Sequence, residues 1–228
     1  MNELLQGFIK AFELIVTLDP EVMEIAGRSL TISVTATLLA TIICLPISSL
    51  IHFNRFIGKR SLINLIQTFY SVPTVVVGLF VFIVFSRVGP LGVFNLMFTP
   101  TIMVIGQAIL ISPVLLGLVI AAFSGVDRAI TDTARSLGAS ELQTWAVVLK
   151  EARFAVIAAV LLAFGRAISE VGLALMVGGN IKGFTRVFTT AISLETSKGD
   201  IELAIALGII LILIALIINI VLSRLQQR

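Results

Sequence analysis

Five long apolar runs dominate this sequence, and each has about the length that a helix needs to cross a lipid bilayer. The runs cover residues 25–51, 62–86, 100–123, 154–177 and 201–222. A spanning helix needs ~20 mostly apolar residues, because the hydrocarbon core of a bilayer is ~30 Å thick. The composition, 58% hydrophobic and 13% charged residues, is also that of a chain buried in lipid. We therefore predict an all-α, polytopic membrane protein with five spans.

The first 19 residues form a separate segment with a mixed pattern. On a helix they give a polar stripe, with Gln6, Lys10, Glu13 and Thr17, opposite an apolar face with Leu5, Phe8, Phe12 and Ile15. Such a pattern is typical of a helix that lies along the membrane surface. We predict an amphipathic surface helix over residues 1–19 and a transmembrane domain over residues 20–228. The alternative is a sixth span over residues 4–18.

Lysine and arginine are distributed unequally between the two predicted sides of the membrane. Nine lie on the side that holds a polar insert at residues 126–153, namely Arg55, Lys59, Arg60, Arg128, Arg135, Lys150, Arg153, Arg224 and Arg228. Six lie on the other side, namely Lys10, Arg28, Arg87, Lys182, Arg186 and Lys198. Because cytoplasmic segments carry the excess, we predict an external amino terminus and a cytoplasmic carboxyl terminus. Basic loops facing anionic lipid also account for the net charge of +3, so this charge does not indicate nucleic-acid binding.

The polar insert contains signals for a short helix and a sharp corner. Asp127 is placed to cap the start of this helix, and Gly138 is placed to end it in a left-handed conformation. The helix has an apolar face with Ile130, Ala134 and Leu137 and a polar face with Asp132, Arg135 and Ser136. Ser140 and Gln143 have the capping-box spacing that begins a second helix. The apolar edge suits a groove on a partner protein, and an ordinary cytosolic loop is the alternative.

Among the prolines and charges inside the apolar runs, the candidates for a gate or a pathway are Pro73, Pro113, Arg166 and Glu170. Pro46, Pro73 and Pro113 fall inside the first three runs, where proline removes a backbone donor and kinks a helix. Arg166 and Glu170 lie well inside the fourth run, where an unpaired charge costs ~2.5–3.5 kcal/mol. Their helical spacing would let them neutralise each other, and each could also pair with a neighbouring helix. Direct contact with a translocated ion is the alternative.

The segment after the fourth run is polar and lies on the predicted external side. Asn180, Thr189 and Thr190 carry amide and hydroxyl groups that can bind an oxyanion weakly, so they join the pathway candidates. Three cations in this segment run against the usual charge bias, namely Lys182, Arg186 and Lys198. We predict that they attract an anion or dock an acidic protein, and a merely solvated loop is the alternative.

Several kinds of chemistry have no support in the sequence. No GxxxxGK[ST] phosphate loop is present, so the chain does not bind ATP in that manner and needs no cofactor of its own. His52 is the only histidine and has no second ligand at a suitable spacing, so we predict no metal site. Cys44 is the only cysteine and is expected to be a buried apolar side chain. No acid, base and nucleophile are clustered, so we predict no catalytic residues and no enzyme activity in this chain.

The polar insert also resembles a known motif. Residues 132–151 are similar to the cytoplasmic EAA loop of ABC importer permeases, with Asp132-Thr133-Ala134 in place of Glu-Ala-Ala and Gly138 at the glycine of that motif. This resemblance implies that an ATPase subunit is contacted by Ile130, Asp132, Thr133, Ala134, Arg135, Leu137, Gly138, Ala139 and Ser140. The family's Ile-x-Leu-Pro is replaced by Val148-Leu149-Lys150-Glu151, so the chain departs from the motif where the next helix continues.

From about residue 27 to the end, the chain is similar to the molybdate and tungstate permeases, and most to the tungstate branch. The similarity is carried by residues 72–78, 89–92, 164–172, 178–183, 185–186, 189–192 and 194–200. It implies the transmembrane domain of a type I (MetI-like) ABC importer, with five or six transmembrane helices, in the cytoplasmic membrane of a prokaryote. It further implies a homodimer, two ATPase subunits that bind ATP and Mg²⁺, and an external tungstate-binding protein. The function would be import of tungstate or molybdate by alternating access.

Two other functions remain alternatives on the sequence alone. An ATP-independent secondary transporter or channel for a small anion would carry inverted repeats or a filter-like ring of residues, and neither is evident. A membrane-embedded enzyme would need a clustered set of acids, bases or metal ligands. Co-purification with an ATPase subunit would separate the importer from both.

Overall fold

The computed structural model describes residues 2–226, which form ten α-helices joined by short turns. The helices are α1 (Asn2–Val16), α2 (Pro20–Phe53), α3 (Lys59–Thr68), α4 (Thr74–Phe85), α5 (Pro100–Ser124), α6 (Arg128–Ser136), α7 (Glu141–Ile168), α8 (Gly172–Gly178), α9 (Phe188–Lys198) and α10 (Ile201–Gln226). Two 3-10 turns, Phe69–Ser71 and Gly92–Phe94, lie on either side of α4. Residues 2–226 contain no β-strand, which confirms the all-α prediction for them. Arg228, counted above among the cytoplasmic cations, lies outside the described residues.

The centre of the bundle is α5, which packs between α2 and α7. The neighbouring helices present small side chains to it, such as Ala40 and Ala163, while α5 presents Ile111 and Leu115, and all four are 0% exposed. Helices in lipid associate through close van der Waals contact, so small residues facing large ones hold such a bundle together. Cys44 lies in the same cluster at 1% exposure, as predicted for a buried apolar side chain.

The apolar runs and the helices agree in part. Within residues 2–226, three helices are long and apolar enough to cross a membrane by themselves, namely α2, α5 and α10. The bent pair formed by residues 59–71 and α4 gives a fourth span if its two parts, which meet at 99°, are taken together. The fourth predicted run, residues 154–177, is divided between the end of α7 and α8. Two of the five predicted runs are therefore broken helices.

The three prolines have different structural roles. Pro46 and Pro113 lie inside α2 and α5, as the sequence predicts. Pro73 does not lie inside a helix, because it is the residue before α4 and follows the first 3-10 turn. The residue before a proline is driven toward an extended conformation, and Val72 has φ −65° and ψ 129°. The predicted kink at Pro73 is therefore corrected to a complete break, where one helix stops and the next begins at 99°.

The amino-terminal helix α1 packs along α10 through its small residues. Gly7, Ala11 and Leu14 lie on one side of α1, and the last two are 2% and 7% exposed. The bulky face stays exposed, with Phe8 at 58% and Phe12 at 70%. With 15 residues, α1 is ~22 Å long, which falls short of the ~30 Å hydrocarbon core. Its location along the membrane surface stays a prediction.

The contact between α1 and α10 makes Gly7 sensitive to substitution. A Cβ atom at Gly7 would lie 2.4 Å from Ile205 Cγ2 and 2.7 Å from Ile205 Cβ, so no rotamer of Ile205 removes the clash. Gly7→Val is expected to destabilise the fold by about 1–3 kcal/mol, the usual cost of overpacking. The matched control is Gly27→Val, because nothing lies within 4 Å of a Cβ atom at Gly27. Thermal unfolding in detergent tests this, and equal midpoints for the two variants would contradict the contact.

Candidate functional site

The polar insert forms an elbow of two helices, defined here as residues 127–143. Its first helix is α6, where Asp127 Oδ1 accepts a hydrogen bond from the Ala129 backbone N–H at 2.9 Å. Its second part is the first turn of α7, where Ser140 Oγ accepts from the Gln143 N–H at 3.3 Å. The Ser140 N–H in turn donates to Gln143 Oε1 at 2.7 Å. Both predicted caps are therefore present.

A left-handed glycine makes the corner of the elbow. Gly138 has φ +83°, a conformation that glycine adopts without strain. Its N–H donates to the Arg135 carbonyl at 3.0 Å, and the Ala139 N–H donates to the Ala134 carbonyl at 3.0 Å. Across the corner, Arg135 Nη2 lies 3.1 Å from both carboxylate oxygens of Glu141. The corner that the sequence predicts is present, and Glu141 is a partner of Arg135 that the sequence pattern did not reveal.

The elbow exposes apolar side chains. No residue of α6 is buried, and Leu137 is 83% exposed. A shallow groove of about 420 Å³ beside it is lined by Ala129, Ile130, Thr133, Ala134, Leu137 and Val147. Asp132 lies on α6 as an exposed side chain outside this groove. An exposed apolar edge on an otherwise polar helix is the form expected of a surface that docks another protein.

Arg166 and Glu170 do not pair within one helix, which corrects the prediction. Because α7 ends at Ile168, the two residues do not have helical spacing. Glu170 is 4% exposed, and its Oε1 accepts a hydrogen bond from the Leu173 N–H at 2.9 Å, in the first turn of α8. Its backbone carbonyl accepts a hydrogen bond from Thr189 Oγ1 at 2.7 Å. Glu170 therefore joins the start of α8 to α9, with no ion pair to a cation within residues 2–226.

Arg166 is exposed at the side of a cavity between α7 and α10. The cavity measures about 710 Å³, and its polar lining consists of Arg166, Ser169 and Asn219. At ~1.5 Å per residue, Arg166 lies ~20 Å beyond Arg153, and Ala215 in the same cavity lies ~21 Å from Ile201 at the start of α10. Arg166 is thus near the middle of the bundle. Asn219 was missed from the sequence, where a lone polar residue late in the last apolar run was the available signal.

The two broken helices lie against each other. The second half of one is α4, which begins after Pro73, and the second half of the other is α8. A Cβ atom at Gly172 would lie 2.8 Å from Val75 Cγ2, and one at Gly78 would lie 3.1 Å from Leu173 Cα. The two half-helices therefore pack at backbone distance. Interrupted helices are tolerated in membranes where they are buried in protein or line a watery path.

The polar groups in the segment between α8 and α9, and at the start of α9, form hydrogen bonds within the fold. Thr189 and Thr190 are 8% and 0% exposed, and Thr190 Oγ1 accepts a hydrogen bond from the Val187 N–H at 3.0 Å. Asn180, with φ +52°, donates from Nδ2 to the Thr190 carbonyl at 3.2 Å. The Thr189 hydroxyl donates to the Glu170 carbonyl, so both threonine hydroxyls are engaged inside the fold on α9, and their role in the pathway stays a prediction. Asn180 Oδ1 is buried and has no hydrogen-bond partner within the described part of the chain.

The three cations predicted to attract an anion or a partner are paired with carboxylates. Lys182 Nζ lies 2.7 Å from Glu21 Oε2, and Arg186 Nη1 lies 3.4 Å from Glu21 Oε1. Lys198 Nζ lies 2.9 Å from Glu195 Oε1. The pairs with Glu21 tie this segment to the start of α2. The Lys182 and Lys198 side chains remain 67% and 54% exposed, whereas that of Arg186 is 13% exposed, so the two lysines are the accessible charges.

Pro113 lies in a different place from the polar cavity. It lines an apolar crevice of about 510 Å³ between the α3–α4 bend and α5, together with Phe69, Val72 and Phe80. An apolar wall offers nothing to replace the water around an anion. Pro113 is therefore a neighbour of the bend at Pro73 and not of the Arg166 cavity.

Comparison with known proteins agrees with the motif in the elbow. The chain matches the family model of the binding-protein-dependent transport system inner membrane component over residues 42–228. It is 41% identical to the tungstate uptake system permease protein TupB of Peptoclostridium acidaminophilum, over 100% of both chains. It is 37% identical to the protein of the same name from Campylobacter jejuni, over 100% of this chain and 95% of that one. A probable anion ABC transporter permease protein of Haloferax volcanii is 43% identical over 90% of this chain and 91% of its own length.

Two solved transporters have the same fold. An inward-facing form of the MetNI methionine ABC transporter gives a TM-score of 0.74 at 16% identity, covering 92% of this chain and 97% of that one. A bacterial ABC transporter that imports alginate gives 0.76 at 18% identity, covering 95% of this chain and 83% of that one. The predicted MetI-like fold of an ABC importer is thereby confirmed. By its motif, its fold and its matches, the chain belongs to the family of binding-protein-dependent transport system inner membrane components, whose members are the membrane-spanning permease subunits of ABC importers.

Proposed function

We propose that this chain is the permease subunit of an ATP-driven importer that takes up tungstate or molybdate. Relatives named as tungstate uptake permeases, matched along the whole chain, support the substrate. The observation that carries the proposal is the elbow, which exposes Leu137 at 83% on a chain without a phosphate-binding loop. A permease of this kind takes its energy from a separate ATPase, and the apolar edge of the elbow provides the contact.

The complex that we infer contains two copies of this chain and two ATPase subunits. ATP and Mg²⁺ bind to the ATPase subunits, and an external binding protein delivers the oxyanion. The excess of Lys and Arg beside the elbow supports an elbow in the cytoplasm, an external amino terminus and a cytoplasmic carboxyl terminus in the cytoplasmic membrane. Of the three cations in residues 179–200, Lys182 and Lys198 are the accessible ones for docking an acidic binding protein, while Arg186 shares Glu21 with Lys182.

A single helix connects the elbow to the interior of the membrane. α7 has 28 residues without a proline, so it is ~42 Å long and unbroken from Glu141 to Ile168. Its first turn belongs to the elbow, and its last turn contains Arg166. Closure of the ATPase subunits would draw two elbows together, and α7 would carry this movement to the helix break at residues 169–171. The packed half-helices α4 and α8, with Pro73 and Glu170 at their starts, are placed to move as the gate.

We assign to Arg166 the role of binding the anion in this pathway. A charge exposed to lipid at this depth would cost ~2.5–3.5 kcal/mol, so Arg166 faces water or the second copy of the chain. The guanidinium and the Asn219 amide that line its cavity are hydrogen-bond donors, and the Ser169 hydroxyl beside them donates to the Arg166 carbonyl at 3.2 Å. Charge-assisted bonds from such donors suit a tetrahedral dianion.

Gly138 tests the coupling role of the corner. Valine there would have to adopt φ +83° or change the angle between α6 and α7, although nothing lies within 4 Å of the new Cβ atom. Gly138→Val is therefore expected to raise the ATP hydrolysed per tungstate imported at least several-fold, and Arg135→Glu, which faces Glu141, is expected to act in the same direction. Gly58→Val is the matched control, because Gly58 has φ +89° in open space outside the elbow. Equal coupling ratios in all variants would contradict the role of the corner.

Reconstitution tests the proposed function directly. Proteoliposomes that contain this chain, its ATPase subunit and its binding protein are expected to take up tungstate only when ATP is present on the side of the membrane that carries the ATPase subunit. Competition with molybdate and sulfate, which are also tetrahedral dianions, ranks the substrates. Uptake by the permease alone, driven by an ion gradient, would favour the secondary transporter and remove the proposal.

A further inference from the structure

A basic pocket lies at the base of the elbow, apart from the groove beside Leu137. It measures about 510 Å³ and is enclosed by the ends of α2 and α5, the first turns of α3, and α6. Four permanently charged cations line it, namely Arg55, Lys59, Arg128 and Arg135. Asp132 is its one carboxylate, and Ser124 and Thr131 add hydroxyl groups. A concave wall with this excess of positive charge concentrates anions.

The cations of this pocket are not neutralised by the described part of the chain. Arg135 alone forms an ion pair there, with Glu141 outside the pocket. Lys59 Nζ donates to the backbone carbonyls of His52 at 2.6 Å and Asn54 at 3.2 Å, which holds the loop but leaves its charge in place. Neither Arg55 nor Arg128 has an ion-pair partner within residues 2–226. The like charges repel one another, so a bound anion would stabilise the elbow against the bundle.

The lining and position of the pocket favour a phosphate-type oxyanion as its ligand. Two arginines from different elements line it, Arg55 after α2 and Arg128 at the start of α6, and a guanidinium can donate two parallel N–H groups to a tetrahedral anion. The rest of the wall is apolar, with Phe53, Ile63 and Ile120. These residues lie where α2, a candidate membrane span, ends and α3 begins, and a spanning helix reaches the lipid headgroups near its end.

We propose that this pocket binds a tetrahedral oxyanion, carried either by the phosphate of an anionic phospholipid or by a free ion, and that the bound anion bridges α6 to the loop between α2 and α3. The site is separate from the Arg166 cavity and does not depend on which substrate is transported. Its occupant would stiffen the connection through which the elbow moves the bundle.

Binding to the assembled complex of this chain with its ATPase subunit tests the proposal. The probes are phosphatidylglycerol, in nanodiscs of phosphatidylcholine with and without it, and inorganic phosphate added to phosphatidylcholine nanodiscs. The variant is the pair Arg55→Gln and Arg128→Gln. The matched control is Arg60→Gln, because Arg60 is a nearby exposed cation in the first turn of α3 and does not line the pocket.

Wild type and the control are expected to retain one of the probes, as measured by native mass spectrometry for lipid and by thermal stabilisation for phosphate. The double variant is expected to bind that probe at least tenfold more weakly, since each basic residue contributes to binding of acidic lipid or phosphate. Retention of phosphatidylglycerol identifies the lipid source, and stabilisation by phosphate without it identifies the free ion.

If the double variant does not assemble, Arg55→Lys with Arg128→Lys keeps the charge but loses the paired N–H groups, and should still bind several-fold more weakly. No binding of either probe to wild type, or equal weakening in the control, overturns the proposal.

Discussion

Replacing Arg166 with glutamine is expected to reduce tungstate uptake about 10- to 100-fold while ATP hydrolysis continues. The magnitude is that of a lost hydrogen bond to a charged group, about 1.5–3 kcal/mol. Arg166 is the only charged residue between Phe154 and Ser169, and it lines the cavity with Ser169 and Asn219. An anion crossing an apolar bundle needs a donor at this depth, because the bilayer offers no replacement for its water shell. Uptake of labelled tungstate in proteoliposomes, with phosphate release from ATP measured in parallel, checks the result.

Three further variants show whether the effect belongs to the anion. Arg166→Lys keeps the charge and should retain more uptake than glutamine, although it loses the planar set of donors. Asn219→Ala removes a neutral donor from the same cavity and should have a smaller effect. Arg87→Gln removes an exposed cation from the turn after α4 and should leave uptake unchanged. Full uptake by Arg166→Gln, or loss of ATP hydrolysis together with uptake, would rule out an anion-contacting role.

The elbow could be predicted from the sequence because its signals are local. Asp127, Gly138 and the pair Ser140 and Gln143 each act on backbone groups within three or four residues, and the structure contains every one of these caps. Hydrophobic length likewise gave α2, α5 and α10. Local rules of this kind work without any knowledge of the neighbouring helices.

The break after α7 could not be predicted, because a contact with another helix helps to determine it, whereas the break at Pro73 has a local signal in the residue before the proline. The helix break after α7 involves Glu170. Its carboxylate accepts a hydrogen bond from the Leu173 N–H, and its backbone carbonyl accepts one from the Thr189 hydroxyl of another helix. A hydropathy pattern continues through this point and shows a single run. The pairing of Lys182 with Glu21 joins residues 161 positions apart, and no sequence spacing reveals it.

The packed face of α1 was also hidden from the sequence pattern. The bulky apolar residues Phe8 and Phe12 suggest a burying face, yet the buried side is the one with Gly7 and Ala11. In water a large apolar side chain gains most from burial, whereas next to lipid it gains little, and close approach at small residues decides the contact. The rule for soluble proteins, in which bulky apolar side chains mark the buried face, therefore identifies this helix but not the face through which it packs.

Leu137→Asp is expected to cause the second large loss, by preventing the ATPase subunit from binding. Leu137 is 83% exposed and directly follows α6, a helix with no buried residue, so the substitution does not disturb the fold of the chain itself. Loss of a central apolar contact typically costs 2 kcal/mol or more, and the introduced carboxylate must also be desolvated at the interface. At each elbow the affinity should fall about 30-fold or more, and the two elbows of a homodimer multiply the effect. Both ATP-driven uptake and co-purification of the ATPase subunit should be lost.

Leu142→Asp is the matched control for this second prediction, since Leu142 is 77% exposed in the first turn of α7 but lies outside the groove beside Leu137. If the α6 edge alone carries the contact, this variant keeps most of its ATPase subunit. Equal loss in both variants would move the interface to the whole corner, and full retention by Leu137→Asp would exclude the elbow as the ATPase contact. Because Gly138→Val alters only the angle at the same corner, it should keep the ATPase subunit bound while uptake falls, which separates attachment of the ATPase from transmission of its movement.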